Sequence, residues 1–292
     1  MLGTRELKRR IRTIHNVERV VDAMEKISAA RLSREKTRVL GTRPYIEALG
    51  RAVRYLATTD RPPHPLLRPS TNDSSLLIVI ASDKGLCGAY NSSIIRAAQE
   101  FVAEHRHRRL HLITSGRRLR RFLPRTGAQV IRESIPHSEP PFDTYADELA
   151  GTVISLYLME QIGHAYVLYT EFRSLAMNRP VLKRILPVEP TREKLPLNYY
   201  YFYEPSAADV LDRLLPQYVR LSIWGAFAEA TASEHAARMV MMEQASVNAR
   251  EMISDLVLEA NKLRQANITR ELSDIVGTAE ALTRKGRKGV YA

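Results

Sequence analysis

Cysteine is almost missing from this sequence: Cys87 stands alone among 292 residues. One thiol excludes an internal disulfide and a multi-cysteine metal site. Long apolar runs are missing as well. No stretch reaches the about 18 residues that crossing a bilayer requires. The first twelve residues are charged and lack the apolar core of a secretory signal. A protein facing the bacterial cytosol is therefore expected. Glycine and proline are absent between Thr4 and Leu40, and from Gln217 to Val276 only Gly225 interrupts a second such stretch. Aromatics are absent from the first segment until Tyr45.

What remains in the breaker-free stretches is helical pattern. Leu7, Ile11, Ile14, Val17, Val21 and Met24 recur at steps of three and four, a stripe of coiled-coil character. Thr4 is the expected N-cap, with Glu6 in the first turn. A kink or weakening is expected at Gly41 to Pro44, with helix resuming to about Leu56. In the last segment Val219, Ile223, Ala226 and Ala230 form a stripe. It continues, with drift, through Ala237, Met241, Ala245, Met252, Leu256, Ala260 and Leu263. A helix from Gln217 to Val276 would be about 90 Å long. Two such helices at the two ends of a chain predict an antiparallel intramolecular coiled coil.

The middle reads differently. A proline-rich linker, Asp60 to Asn72, precedes Ser75–Ile80, a continuous apolar run of the kind found in strands buried on both faces. A turn at Asp83 to Gly88 follows, then a helix over Tyr90–Ala103. Further strands are predicted at Leu110–Thr114, Ala128–Ile131, Ala165–Phe172 and Val181–Val188, with helices at Arg117–Phe122 and Phe142–Ile162. This alternation predicts an open α/β, Rossmann-like sheet. The fold class is thus α/β plus long coiled coil. The divisions are 1–58 (helix), 59–74 (linker), 75–208 (α/β domain), 209–282 (helix) and 283–292 (basic tail).

The formal net charge is +12. Residues 1–54 hold 14 Lys/Arg against 6 Asp/Glu, and residues 105–125 hold eight arginines without an acid. Arg284, Lys285, Arg287 and Lys288 add a basic end. Such a balance suits nucleic acid, an acidic membrane surface or an acidic protein.

Several motifs then resemble one family. Ala23-Met24-Glu25-Lys26-Ile27-Ser28-Ala29-Ala30-Arg31 is similar to the N-terminal helix of F-type ATP synthase gamma subunits, followed by Arg43-Pro44-Tyr45. Ser82-Asp83-Lys84-Gly85-Leu86-Cys87-Gly88-Ala89-Tyr90-Asn91 is similar to the family's most recognisable turn. Tyr201-Phe202-Tyr203-Glu204-Pro205, the run Ala232 to Met239 and the run Asn261 to Leu272 are similar to its later signatures. The resemblance covers nearly the whole chain in order.

It implies a rotor shaft, one copy per complex, inside a hexamer of alternating alpha and beta subunits. The α/β domain would sit at the foot, against the epsilon subunit and the c-ring. Met24 and Lys26, with Arg264, Gln265, Thr269 and Glu271, are the implied contacts with the alpha/beta ring. Asp83, Lys84, Gly85, Tyr203 and Glu204 are the implied contacts at the epsilon and c-ring end. The implied place is the cytoplasmic face of the bacterial inner membrane, with membrane contact only through the c-ring. No catalytic residue, cofactor, metal or nucleic acid is implied.

The sequence departs from the family at Asp22 and Glu25, where basic residues are commoner, and in residues 283–292, which run past the usual end. No inserted cysteine pair is present, so the redox switch of chloroplast relatives is not expected. A second, divergent ATPase of the same class stays open.

Other features have a sharp and a plain reading. The turn at Asp83 to Gly88 precedes a helix N-terminus of the sort that binds phosphate, but it is neither a Walker A loop nor G-x-G-x-x-G. A structural or partner-contact turn is the stronger reading. His105, His107 and His111 are interleaved with arginines that repel a cation, and a solvated edge is expected there. Cys87 reads as a small buried residue and His235 as a satisfied helix residue. Met239, Met241 and Met242 fit either seam packing or a sliding contact with an apolar collar. Two other functions compete: a basic coiled-coil nucleic-acid binder, and an enzyme built on the α/β domain. The first helix lacks the interleaved aromatics that would favour the former. No converging acid, base or nucleophile motif favours the latter.

Overall fold

The computed structural model describes residues 4–57, 64–105, 109–122, 129–135, 142–175, 177–189 and 203–288. Four helices and five strands follow in the order α1 (Thr4–Leu56), β1 (Ser75–Ile80), α2 (Tyr90–Glu104), β2 (Leu110–Ser115), β3 (Gln129–Ile135), α3 (Phe142–Leu158), β4 (His164–Phe172), β5 (Asn178–Leu186) and α4 (Ala207–Lys288). Short 3₁₀ turns sit at Pro65–Leu67 and Arg117–Arg121. Among the described residues no helix is long and apolar enough to cross a membrane.

The sheet runs β3-β2-β1-β4-β5. β1 is parallel to β2 and β4, β2 is parallel to β3, and β5 returns antiparallel to β4. Every residue of β1 is buried, as its unbroken apolar run predicts for a strand covered on both faces. Leu76, Ile78 and Ile80 face one core with Leu149 and Val153 of α3 and Ile223 and Phe227 of α4. Leu77 and Val79 face another with Ile94, Ala98 and Phe101 of α2. Burying one such side chain contributes roughly 1.5–3 kcal/mol.

By its contacts the chain divides into two compact units, Met1–Glu25 with Met242–Ala292, and Lys26–Met241. In the first unit, the more buried positions of α1 include the series Leu7, Ile11, Ile14, Glu18, Val21 and Glu25, with Glu6, Asp22 and Met24 flanking it. Those of α4 include the series Met242, Ser246, Ala249, Ile253, Leu256, Ala260, Leu263 and Asn267, with Ala245 flanking it. Both series alternate steps of four and three, a heptad seam. The stripes expected from sequence depart from it at Val17, Met241 and Met252. Val17 is 51% exposed and Met252 lies outside, while Glu18 and Ser246 take seam positions. A count of apolar residues alone misses seam positions filled by polar ones. Glu18 is held there by Arg250, whose Nε lies 2.9 Å from its Oε1, and Arg250 also reaches Asp22 at 4.0 Å.

The second unit holds the sheet together with the adjoining parts of α1 and α4. Both long helices contain a proline here. α1 passes through Gly41 and Pro44, with Val39 and Leu49 buried on either side. α4 begins at Ala207, two residues before the expected start at 209, and contains Pro216. Its start is a capping arrangement: Asp209 N–H donates to Ser206 Oγ at 3.2 Å, and Ser206 Oγ donates to Asp209 at 2.5 Å. Buried Leu211, Leu215 and Val219 hold the helix against the core and offset the bond that Pro216 removes. At Gly225 a Cβ would lie 2.8 Å from Ile46 Cδ1, so the glycine permits α1 and α4 to approach closely.

Candidate functional site

The turn after β1 is built from its own side chains. Asn91 Oδ1, on the first turn of α2, accepts from Ser82 N–H at 3.1 Å and Ser82 Oγ at 2.9 Å. Asp83 Oδ1 accepts from Arg117 N–H at 3.0 Å and lies 3.7 Å from Arg117 Nε. Lys84 and Leu86 are exposed, and Cys87 is buried beneath them. Burial pushes the Cys87 thiol up, which disfavours a reactive thiolate. Gly88 has φ of +55°, a conformation suited to glycine, and its missing Cβ would meet Met241 Sδ at 3.0 Å.

The turn is pinned to α4 by buried polar groups. Arg238 Nη2 donates to Glu234 Oε1 at 2.5 Å, and Arg238 Nε donates to the carbonyl of Gly85 at 3.3 Å. His235 Nδ1 lies 3.4 Å from Arg238 Nη1. Tyr90 Oη donates to the carbonyl of Ala230 at 3.1 Å. Burial, then the charge of Glu234, raises the Tyr90 phenol far above its usual range, so it stays a donor. The run Ala232 to Met239 carries the family resemblance, but nothing in it marks Arg238 as the tie to the turn. Its only local signal was a charged pair four residues apart inside an alanine-rich helix.

A second tie joins α1 to the sheet and α4. Arg43 donates from Nε and Nη2 to Glu229 Oε1 at 3.0 and 2.7 Å, and from Nη2 to the carbonyl of Phe172 at 2.8 Å. Glu229 Oε2 accepts from Phe172 N–H at 2.8 Å. A partly buried charged pair is costly unless its bonding positions are filled, and both Glu229 oxygens are engaged.

The residues expected at the epsilon and c-ring end fall into two places. Asp83, Lys84 and Gly85 lie in the turn beside Arg238. Tyr203 packs partly buried against the core just ahead of α4, and Glu204 is exposed. Ala207 and Arg238 are 31 residues apart on α4, or about 46 Å, so these two groups do not converge. Tyr201 and Phe202 lie outside the described residues.

Among the residues expected at the alpha/beta ring, Met24 is half-buried on α1 and Lys26 is exposed. Arg264, Gln265, Thr269 and Glu271 are exposed on α4. Thr269 Oγ1 donates back to the Gln265 carbonyl at 3.0 Å. From Ile268 through Ala279 every side chain is exposed, including Ile268, Leu272, Ile275 and Val276.

The remaining candidates resolve individually. His105 stacks on Phe101 with ring centres 4.0 Å apart. His111 is half-buried on β2 and its pKa is lowered by burial and by Arg109. His107 lies outside the described residues. His235 is buried within the Arg238 group. Met239 packs on a small core with Leu32 and Val39, Met241 stays exposed beside Gly88, and Met242 is buried.

The chain matches the family model described as ATP synthase over residues 3–282. It is 37% identical to the ATP synthase gamma chain of Roseiflexus castenholzii, over 97% of this chain and 99% of that one. It is also 37% identical to that of Pelotomaculum thermopropionicum, over 97% and 100%. Its fold is similar to a chain of the Euglena gracilis mitochondrial ATP synthase, solved as OSCP/F1/c-ring. That match has a TM-score of 0.65 at 16% identity and covers 96% of this chain and 94% of that one. It is also similar to a chain from the Tetrahymena thermophila mitochondrial ATP synthase central stalk and c-ring. There the TM-score is 0.56 at 22% identity, covering 78% and 99%. Sequence motifs, fold and relatives agree, and the chain belongs to the ATP synthase gamma-chain family.

Proposed function

We propose that this chain is the central-stalk rotor of a proton- or sodium-translocating F-type ATP synthase, coupling c-ring rotation to the catalytic cycle of the beta subunits. One observation carries the reading of its upper end. Ile268, Leu272, Ile275 and Val276 stand exposed on a helix that presents no buried face from Ile268 to Ala279. A helix with large apolar residues in water calls for a sheath, and the alpha/beta ring supplies one. Arg264, Gln265, Thr269 and Glu271 are the polar contacts within that sheath. Met24 and Lys26 meet the ring lower down, where Arg31, Arg34 and Lys36 present a basic face to acidic beta-subunit segments.

The chain carries no chemistry of its own. One asymmetric chain within a threefold ring touches each catalytic pair with a different face. Each site's nucleotide affinity shifts by the difference in contact energy between its states. Turning the rotor exchanges those contacts, and by linkage ATP hydrolysis turns the rotor. The ties at Arg43–Glu229 and Arg238–Gly85 keep the α/β domain in step with α1 and α4. Tyr203 and Glu204 belong to the end facing the epsilon subunit and c-ring. Asp83, Lys84 and Gly85 form a second contact higher on α4. One copy works per complex, at the cytoplasmic face of the bacterial inner membrane.

Reconstitution tests this reading. Co-expression with the cognate alpha and beta subunits is expected to give a complex with one copy of this chain per three pairs, whose ATPase activity depends on it. A chain that elutes apart from the ring sinks the proposal.

A further inference from the structure

Among the described residues β5 ends the sheet, pairing with β4 on one side only. An edge strand carries unpaired backbone N–H and C=O groups. Pro180, opposite Thr170 in this ladder, has no N–H and fits only where its nitrogen faces away from β4. Backbone groups alternate with period two along a strand. Leu182 and Arg184 therefore present their N–H and C=O to the same free edge.

A groove of about 390 Å³ runs along that edge, and Leu182, Arg184, Val188, Arg54 and Tyr218 line it. It is amphipathic: apolar at Leu182 and Val188, aromatic at Tyr218, cationic at Arg54 and Arg184. Lys183 Nζ adds charge from 5.7 Å above the Tyr218 ring. Glu189 alone among the lining residues is acidic, and it pairs with Arg184. Neither Arg54 nor Lys183 has a carboxylate within ion-pair distance among the described residues.

We propose that the free edge of β5 is a docking strand for an extended, acidic segment of a partner protein. The partner adds a strand through the outward groups of Leu182 and Arg184. Its alternate side chains lie in the groove, one carboxylate on Arg54, one on Arg184 in place of Glu189, and an apolar side chain between Leu182 and Val188. Main-chain pairing supplies affinity and the groove supplies selectivity. The inference goes beyond the rotor reading and does not depend on it.

The test uses the full chain and three fluorescein-labelled nine-residue peptides followed by anisotropy. The first alternates valine and glutamate, the second replaces glutamate by lysine, and the third is the first with N-methylated alternate peptide bonds. Saturable binding of the first is expected, at least about tenfold tighter than of the second. The third is expected not to bind. Arg54→Ala and Arg184→Ala together are expected to weaken the first by about tenfold or more without shifting the unfolding midpoint. Amide exchange of Leu182 and Arg184 is expected to slow in the complex. No saturable binding of the valine–glutamate peptide overturns the proposal. So does binding that ignores N-methylation or the arginine substitutions. A single-stranded oligonucleotide that displaces the peptide and depends on the same arginines also overturns it, because the groove is then a phosphate surface.

Discussion

Arg238 and Gly85, 153 residues apart in sequence, are joined by a 3.3 Å hydrogen bond from guanidinium to backbone carbonyl. The same guanidinium holds Glu234 at 2.5 Å. Both charged side chains are almost wholly buried, so the pair is sensitive to loss of one member. Arg238→Met removes the guanidinium that bonds the buried Glu234 carboxylate, and a loss of about 3–5 kcal/mol is expected. Adding Glu234→Gln to it is expected to recover a substantial part, a coupling of about 0.5–3 kcal/mol in a double-mutant cycle. Urea unfolding of the four proteins checks this. Strict additivity would show that the pair does not act as a unit.

Glu35 is a carboxylate at a buried position on α1, bonded to Arg38 Nη1 at 2.8 and 3.0 Å. Burial raises its pKa above 4.5 in spite of Arg38. The folded chain therefore holds this proton more tightly than the unfolded chain. The resulting stability is present below pH 4.5 and is lost as pH rises through the raised value. At neutral pH the ionised group is a liability. Glu35→Gln is expected to raise the denaturation midpoint at pH 7, with an advantage that shrinks toward pH 4. A constant difference across that range would contradict this.

His64 fixes the segment before β1. Leu66 N–H donates to its Nδ1 at 3.1 Å, and its Nε2 lies 3.2 Å from Asp212 Oδ1 on α4. Nδ1 is an acceptor in that bond, so the neutral ring protonated on Nε2 is the form that fits. Burial lowers the pKa below 6.5, against the pull of Asp212. A depressed histidine pKa means that the folded chain binds fewer protons. The contribution is present above pH 6.5 and is lost as pH falls through that window. Histidine chemical shifts are expected to titrate below the unfolded value. Loss of protection at the Leu66 amide is expected to accompany the titration.

The upper part of α4 tests the rotor reading separately from folding. Arg264→Ala with Gln265→Ala, both exposed, is expected to change the unfolding midpoint by no more than about 0.5 kcal/mol. Assembly with the ring, or turnover of the assembled complex, is expected to fall. Ile268→Lys with Ile275→Lys is expected to impair assembly further while leaving the isolated chain helical. Unchanged assembly and turnover in both variants would remove the sheath from the proposal.

Much of this protein was legible in its sequence. The Ser75–Ile80 run dictated a strand buried on both faces, because the five side chains from Leu76 to Ile80 are all apolar. The two breaker-free stretches dictated long helices, because nothing in them interrupts the backbone bonding pattern. Motifs spread along the chain in order located the family. Local pattern could not set the phase of the seam. Val17 and Glu18 are neighbours, and only the partner helix decides that Glu18 lies inward, because Arg250 stands opposite to hold it. Nor could propensity decide Pro44 and Pro216, since the cost of a proline is local and the burial that offsets it comes from residues distant in sequence. The tie between Arg238 and Gly85 belongs wholly to tertiary structure. A buried charge is tolerable only where another part of the chain supplies its partners, and the folded chain brings the turn to the helix.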